Sequence, residues 1–325
     1  MHIRFNIVLA ASVALLSTLF ACKKEKLDWQ QVQKLESHCN HRLNNIYFLN
    51  DTLGYTVGGL RFDKSTILVT KDGGNTWELH DIPEAGKSIF NVAQKPTGEV
   101  YAVGFDGKLL RTTDGGDNWS FFQMNSYQPY KDLTFIEPST GIIIGGISFN
   151  YGVMAYIDDQ NDIYRYDTFN YELNDIEMLD NRTGYISGYG VVLKTADGAV
   201  KWKLQDIKND NFTAIHAQSE NELWVCGYNG SIYYTSNGGE KWEQFRSGND
   251  IKKPRYRLLD IYFKDRTNGW AVGEEGVVIH TTDGGHSWDL YKKFTSNALR
   301  CITQTPDGQL IVCGDNGSLY KLLAH

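Results

Sequence analysis

From residue 29 onward, short apolar segments alternate with turns rich in glycine, aspartate and asparagine. The clearest unit predicts an inner strand from Arg257 to Phe263, a second from Gly269 to Gly273, a third from Val277 to Thr281 and an outer one from Trp288 to Tyr291. Turn residues separate the four segments, as expected for strands joined by tight connections. The pattern therefore predicts four-stranded units.

An eight-residue motif follows the third strand of most units. It stands at Thr281–Trp288, Thr70–Trp77 and Thr112–Trp119, with weaker copies at Thr195–Trp202 and Thr235–Trp242. The pattern Thr-x-Asp-x-Gly-x-x-Trp predicts a hairpin corner, because glycine accepts positive φ, Asp and Thr oxygens can bond turn amides, and Trp starts the next strand. We expect these corners to be structural and not catalytic. Their expected key residues are Asp72, Gly74, Trp77, Asp114, Gly116, Trp119, Asp197, Trp202, Asn237, Gly239, Trp242, Asp283, Gly285 and Trp288.

The spacing of the motif predicts the fold. The final tryptophans are separated by 42, 83, 40 and 46 residues, and the gap of 83 corresponds to two periods. A degenerate copy at Ile157–Tyr164 fills that gap, with Tyr164 in the place of the tryptophan. A period near forty with strands and glycine-rich turns is typical of propeller blades.

The two ends of the chain indicate the number of blades. The last repeat, Ala298–Leu323, supplies three strands and stops where a motif and an outer strand should follow. The segment Trp29–Gln33 resembles an outer strand with no blade before it. We therefore predict an all-β fold: a seven-bladed β-propeller of four-stranded antiparallel blades over residues 29–325, closed by the N-terminal strand in the C-terminal blade.

The first residues have the features of a targeting signal. Arg4 precedes an apolar run from Ile7 to Phe20, which is short for a membrane span. The run ends at Leu19-Phe20-Ala21-Cys22, which resembles a bacterial lipoprotein box. This resemblance implies a signal peptide at 1–21, lipidation of Cys22 and a tether at 22–28; an uncleaved signal anchor is the alternative. Lys23 in place of an aspartate favours the outer membrane, facing the periplasm or the cell surface.

Composition narrows the classes of partner and cofactor. A net charge of −7 argues against bulk nucleic-acid binding, which needs a basic excess. Cys301 and Cys313 flank a turn symmetrically, so they can face each other; buried thiols are the default, and a disulfide is the alternative. The cluster at residues 38–41 lacks the paired spacing of zinc sites, so we expect no metal and no cofactor.

No local catalytic motif is present, since the chain contains neither Gly-x-Ser-x-Gly nor His-Glu-x-x-His. In a propeller, the second-to-third hairpins and the blade-to-blade connections share one face. The connection at 246–257 carries the densest basic run after the tether, interleaved with tyrosine. Such a patch suits an acidic partner, although a solvated loop is the alternative. The candidate binding residues are Arg246, Lys252, Lys253, Arg255, Tyr256, Arg257, Tyr127 and Tyr130.

The Thr-x-Asp-x-Gly-x-x-Trp repeat resembles the Asp-box, or BNR repeat, of β-propellers. With ring closure and the lipoprotein box, the chain resembles the photosystem II stability/assembly factor family over essentially the whole mature sequence. The resemblance implies a non-enzymatic protein that binds a newly made membrane protein, partly through an arginine patch. The predicted partner is thus a protein or peptide, with membrane attachment through lipid. Sialidases also contain Asp-boxes, so a glycan-binding or glycoside-hydrolysing lipoprotein is the alternative.

Overall fold

The computed structural model describes residues 26–136, 140–250 and 254–323. The predicted signal peptide and Cys22 lie outside these ranges, so the division into signal, tether and propeller stays a prediction at its N-terminal end. Twenty-eight strands and three single-turn 3-10 segments form the described part, which contains no helix long and apolar enough to cross a bilayer. The 3-10 segments are Phe105–Gly107, Glu274–Gly276 and Asp315–Gly317.

The strands form seven four-stranded sheets that match the predicted blades. The first strand, β1 (Gln31–Lys34), stands apart from the strand that follows it. Blade one contains β2 (Arg42–Phe48), β3 (Gly54–Leu60), β4 (Lys64–Thr70) and β5 (Glu78–His80). Blade two contains β6 (Ile89–Gln94), β7 (Val100–Gly104), β8 (Lys108–Thr112) and β9 (Ser120–Gln123). Blade three contains β10 (Tyr130–Ile136), β11 (Thr140–Ile147), β12 (Tyr151–Ile157) and β13 (Ile163–Phe169).

The later blades repeat the same order. Blade four contains β14 (Leu173–Met178), β15 (Gly184–Gly188), β16 (Val191–Thr195) and β17 (Lys203–Leu204). Blade five contains β18 (Phe212–Ala217), β19 (Leu223–Gly227), β20 (Ile232–Thr235) and β21 (Glu243–Arg246). Blade six contains β22 (Leu258–Phe263), β23 (Gly269–Gly273), β24 (Val278–Thr281) and β25 (Asp289–Leu290). Blade seven contains β26 (Leu299–Gln304), β27 (Leu310–Gly314) and β28 (Leu319–Leu323).

The N-terminal strand closes the ring, as predicted. Strand β1 pairs antiparallel with β28, so that blade seven has the order β1-β28-β27-β26. Trp29 stacks on Tyr291 at a ring-centroid distance of 3.8 Å, and Leu27 forms a bridge to the same residue. The chain therefore enters the propeller at the outer edge of blade six and then completes blade seven.

The hydrophobic core consists of layers between neighbouring blades. Tyr55 and Ile67 of blade one, for example, pack against Val92 and Ala102 of blade two, and all four are buried. The middle strands read as nearly continuous buried segments because both of their faces meet another blade. Each blade thus depends on its two neighbours, which makes closure of the ring important for stability.

The Asp-box corners have the predicted hydrogen bonds. In blade six the Thr281 hydroxyl accepts the Gly285 amide at 2.8 Å, and the Asp283 carboxylate accepts the Ser287 amide at 2.9 Å. The indole of Trp288 donates to the Gly285 carbonyl at 2.9 Å, and Gly285 has a φ of +101°. Asn237 takes the Asp position in blade five, where it accepts the amide four residues later at 3.0 Å.

The degenerate corner of blade three differs in one residue from the prediction. Asp158 accepts the Asp162 amide at 3.1 Å and thus takes the role of the box aspartate. Five residues later, in the place of the tryptophan, stands Ile163, which packs against the core between blades two and three. Tyr164 is 57% exposed, so its assignment to the tryptophan position was wrong by one residue.

Cys301 and Cys313 occupy directly opposed positions on β26 and β27, as the symmetry about their turn predicted. Both are buried, and both are free thiols. The default expectation therefore describes the structure, and the disulfide alternative does not.

Candidate functional site

All seven inner strands contain a β-bulge near their first residues, beside the central channel. A bulge re-aims the side chains beside it, and here the bulged residue and the residue after it both line the central channel in six of the seven blades. The bulged residues are Asn44, Phe90, Lys131, Asn174, Thr213, Leu259 and Arg300.

Three aspartates next to bulges join neighbouring blades. Each accepts a backbone amide from the inner strand of the following blade at 2.7 to 2.8 Å, so a carboxylate bridges every one of these junctions. A carboxylate that binds amides in this way is held in one orientation. The three bonds run from Ile176 to Asp132, from Ile215 to Asp175 and from Ile302 to Asp260.

Burial raises the pKa of these three aspartates and of Glu177, which also lies on an inner strand. Burial raises the pKa of Asp260 to about 7, and burial together with repulsion from Asp175 raises that of Glu177 to about 8. The pKa values of Asp132 and Asp175 are also raised, chiefly by burial. A glycosidase needs two carboxyl groups that face a substrate. Asp132, Asp175 and Asp260 each use one oxygen to accept an amide of the next blade, while Asp175 and Asp260 also line the channel.

The channel opens on the face that carries the second-to-third hairpins, through a cavity of about 620 Å³. The hairpin of blade one forms one wall, and the hairpin of blade three forms the opposite wall. Large apolar side chains stand exposed on both hairpins: Phe62 is 60% exposed, and Phe149 is 55% exposed. The mouth therefore combines a polar floor with aromatic walls, the usual composition of a ligand site.

Positive charge is in excess at this mouth. Arg42 and Arg300 share a single carboxylate, Asp315, at 3.2 and 2.6 Å. Burial, followed by repulsion from Arg300, lowers the pKa of Arg42. Arg61 stacks over the rings of Phe62 and Phe105 at 5.0 and 5.1 Å, and no carboxylate of the described ranges pairs with it.

Lys131 and Glu172 form a further ion pair at the mouth. Four cations, Arg42, Arg61, Lys131 and Arg300, therefore face two carboxylates. These six side chains together carry a net charge of +2 in a chain whose total is −7. This contrast favours an anionic group on any ligand that enters the cavity.

The structure corrects two of the candidate binding residues. Arg246 is only 4% exposed, because its guanidinium donates to the Gly230 carbonyl and, at 2.5 Å, to the Pro254 carbonyl. It fastens the 246–257 connection to a hairpin and does not face a partner. Tyr130 is fully buried in the core between blades two and three.

The other candidates lie where the prediction placed them or outside the described ranges. Arg255 and Tyr127 are exposed, and Tyr256 is half-buried beneath Arg246. Arg257 pairs with Glu274 at 2.9 Å, which compensates its charge. Lys252 and Lys253 fall outside the described part of the chain. Among the described members, Arg255 contributes the exposed charge of the predicted patch that no carboxylate compensates.

Sequence reasoning missed the mouth itself. Arg42, Arg300 and Asp315 come from distant parts of the chain, so no local motif joins them. One signal was available: the hairpins at residues 59–64 and 146–151 lack the short Gly-x-x-Gly form of blades two, five, six and seven and carry phenylalanine where turns are usually polar.

In the described ranges, no group of three or more His, Cys, Asp and Glu side chains is arranged to hold a metal ion. The segment at 38–41, considered above for metal binding, uses His41 differently. Its Nδ1 lies 2.9 Å from the hydroxyl of Thr66 on β4.

The chain is similar to known photosystem II assembly factors in sequence, and to solved propeller structures in fold. A family model described as photosynthesis system II assembly factor YCF48 matches residues 21–139. The photosystem II assembly lipoprotein Ycf48 of Nostoc sp. is 23% identical over 208 residues, 64% of this chain and 50% of the relative. The chloroplastic stability/assembly factor HCF136 of Arabidopsis thaliana is 34% identical over 101 residues, 29% of this chain and 24% of the relative.

The resemblance to the photosystem II assembly factor family is confirmed. The chain spans about half the length of the Nostoc relative. YCF48 from Cyanidioschyzon merolae superposes with a TM-score of 0.70 at 19% identity, over 90% of this chain and 98% of that one. A structure of YCF48 bound to D1 peptide gives 0.70 at 19% identity, over 91% and 95%. A virginiamycin B lyase of Staphylococcus aureus gives 0.72 at 12% identity, over 91% and 99%, so the same fold also carries an enzyme.

Proposed function

We propose that this protein is a non-catalytic, membrane-anchored propeller that binds a protein or peptide partner at the channel mouth and acts as an assembly scaffold. The observation that carries the proposal is the mouth, where four cations and two carboxylates lie beside exposed aromatic side chains. Aromatic and arginine side chains contribute most to protein–protein binding energy. The assembly-factor names of the relatives and the peptide-bound YCF48 support the same function.

The arrangement of polar groups in and above the channel favours a binding function over a catalytic one. The aspartates that could act on a substrate accept backbone amides of the next blade. Arg61, the cation at the mouth that no carboxylate of the described ranges pairs with, remains available for a partner. An acidic segment is therefore the partner that fits best, because its carboxylates would restore charge balance there.

Reversing charge and polarity on the blade-one hairpin should remove partner binding. We expect Arg61→Glu combined with Phe62→Asp to reduce capture of partner proteins from a cross-linked cell-envelope fraction at least tenfold, measured by quantitative mass spectrometry. The matched control is Lys71→Glu, a charge reversal on an Asp-box corner of the opposite face. Equal capture by both variants would contradict the proposed face.

The predicted connection between blades five and six can be tested in the same assay. Arg255→Ala with Arg257→Ala should also weaken capture, because both side chains are exposed on the face of the mouth. Unchanged capture by this variant would remove the connection from the contact surface and leave the mouth in place.

We also propose attachment to the cell envelope, in the outer membrane, through lipid on Cys22. The lipoprotein box carries this proposal, and the Nostoc relative is named a lipoprotein. We expect Cys22→Ala to abolish incorporation of radiolabelled palmitate and to release the protein from the membrane pellet, since multiple acyl chains anchor stably. Labelling of the variant at the wild-type level would contradict lipidation, and flotation with inner-membrane vesicles would contradict the outer-membrane assignment.

A further inference from the structure

Phe149 has an unusual backbone conformation at the tip of the blade-three hairpin. Ser148 and Phe149 both have positive φ, at 60° and 65°. This conformation is strained for a bulky residue. In blades two, six and seven the second residue of the corresponding pair is glycine, namely Gly107, Gly276 and Gly317.

Several contacts hold Phe149 in this position. Its amide donates to the Glu172 carboxylate at 2.8 Å, and its carbonyl accepts the Glu172 amide at 3.1 Å. Glu172 is itself paired with Lys131 on the channel floor. The ring nevertheless stays 55% exposed, so the strain serves to place an apolar group in solvent above the mouth.

Phe149 also lines a second cavity, of about 510 Å³, on the other side of its ring. Tyr189 and Tyr228 form the wall of this cavity, and the rings of Phe149 and Tyr189 lie 5.0 Å apart at 34°. The carboxylate here, Asp210, accepts three backbone amides and the Ser231 hydroxyl, so its charge is already satisfied. The second cavity is therefore aromatic, whereas the first is cationic.

We propose that Phe149 divides a peptide groove into two subsites, one for an acidic side chain beside Arg61 and Arg42, and one for an aromatic side chain beside Tyr189 and Tyr228. This inference rests on the proposed function and adds the chemistry of the ligand. An extended segment crossing the hairpin tip places one side chain on each side of the ring. An aromatic side chain beside the Phe149–Tyr189 pair gains edge or offset contacts with both rings.

A defined peptide series tests the two subsites directly. The probes are ten-residue, N-acetylated and C-amidated Gly/Ser peptides with one Glu and one 4-fluorophenylalanine separated by one to six residues, titrated with the full-length protein by 19F NMR. We expect one spacing to bind at least tenfold more tightly than the weakest spacing. Changing Glu to Lys in that peptide should weaken binding at least tenfold, because it opposes the net positive charge of the first cavity.

Two protein variants separate the subsites. Phe149→Gly should weaken the best peptide about fivefold to tenfold while keeping the preference for Glu over Lys, since the cations remain. Arg61→Glu should remove the Glu preference. Phe149→Gly should not lower Tm, because glycine accepts positive φ without strain, and Phe149→Asn provides a second variant that tolerates this conformation. The control is Tyr164→Ala, an exposed aromatic on an outer strand.

Several results would overturn the inference. Wild-type affinity of both Phe149 variants would show that the ring does not contact the ligand, and equal binding of Glu and Lys peptides would exclude an acidic subsite. Binding of 3′-sialyllactose in place of every peptide would indicate a glycan site. If partner capture depends on Arg61 and Phe62 while the peptides show no preference, the two-subsite inference fails and the proposed function stands. If capture fails as well, both are wrong.

Discussion

Removal of residues 1–34 is expected to abolish cooperative folding or to lower Tm by roughly 10 °C or more. The truncation deletes β1, leaves β28 as an exposed edge and takes Trp29 from its stack on Tyr291. An unpaired apolar edge also promotes aggregation. Thermal unfolding followed by circular dichroism, with light scattering, measures both effects.

A protein that starts at Lys26 is the matched control, because it keeps β1 and the bridge from Leu27. We expect a synthetic peptide of residues 26–37 to restore part of the lost stability in the shorter protein. Identical cooperative melting of the two truncated proteins would show that blade seven is stable with three strands.

Raising the pH from 5 to 8.5 is expected to destabilise the fold, and Glu177→Gln should remove much of that effect. The pKa of Glu177 is raised to about 8 in the folded state. Between the ordinary pKa of a glutamate and pH 8, the folded protein therefore keeps a proton that the unfolded chain has released. The contribution of Glu177 to the free energy of unfolding is therefore fully present below the ordinary glutamate pKa, and it is lost as the pH rises toward 8. Because the Glu177 side chain is only partly shielded from solvent, we place the loss at about 2 kcal/mol.

Denaturant unfolding at several pH values measures this slope. Glutamine keeps an oxygen that can accept the Ala217 amide, now 2.8 Å from Glu177. Asp260, whose pKa is raised to about 7, contributes a remaining slope of the same sign. Glu243→Gln, on the exposed outer strand of blade five, controls for the loss of one charge. A wild-type slope in the Glu177 variant would contradict the prediction.

The fold was predictable because most blades contain an Asp-box whose hydrogen bonds form within a single short segment. Residues such as Thr281, Asp283 and Gly285 act within eight positions of each other, so their roles follow from local hydrogen bonding. Closure by β1 was also predictable, since an incomplete last repeat and an isolated first strand require each other. Where both glycines were lost, in blade three, the local rule weakened and the assignment of Tyr164 slipped by one residue.

The site was less predictable because it is assembled from many blades. Charge alone placed Arg246 on the surface, whereas the carbonyls of Gly230 and Pro254 hold it inside. Arg42 meets its partner Asp315 across 273 positions of sequence, and the strain at Phe149 depends on Glu172 in the next blade. Such arrangements depend on ring closure, which turns distant repeats into neighbours.

The attachment of Leu27 to Tyr291 has a geometric consequence for any anchor that precedes it. Leu27 lies at the outer edge of blade six, on the perimeter of the ring. Four residues lie between Cys22 and Leu27, so the chain between them reaches less than about 20 Å. If Cys22 carries lipid, as proposed, the outer edge of blade six lies within that distance of the bilayer surface.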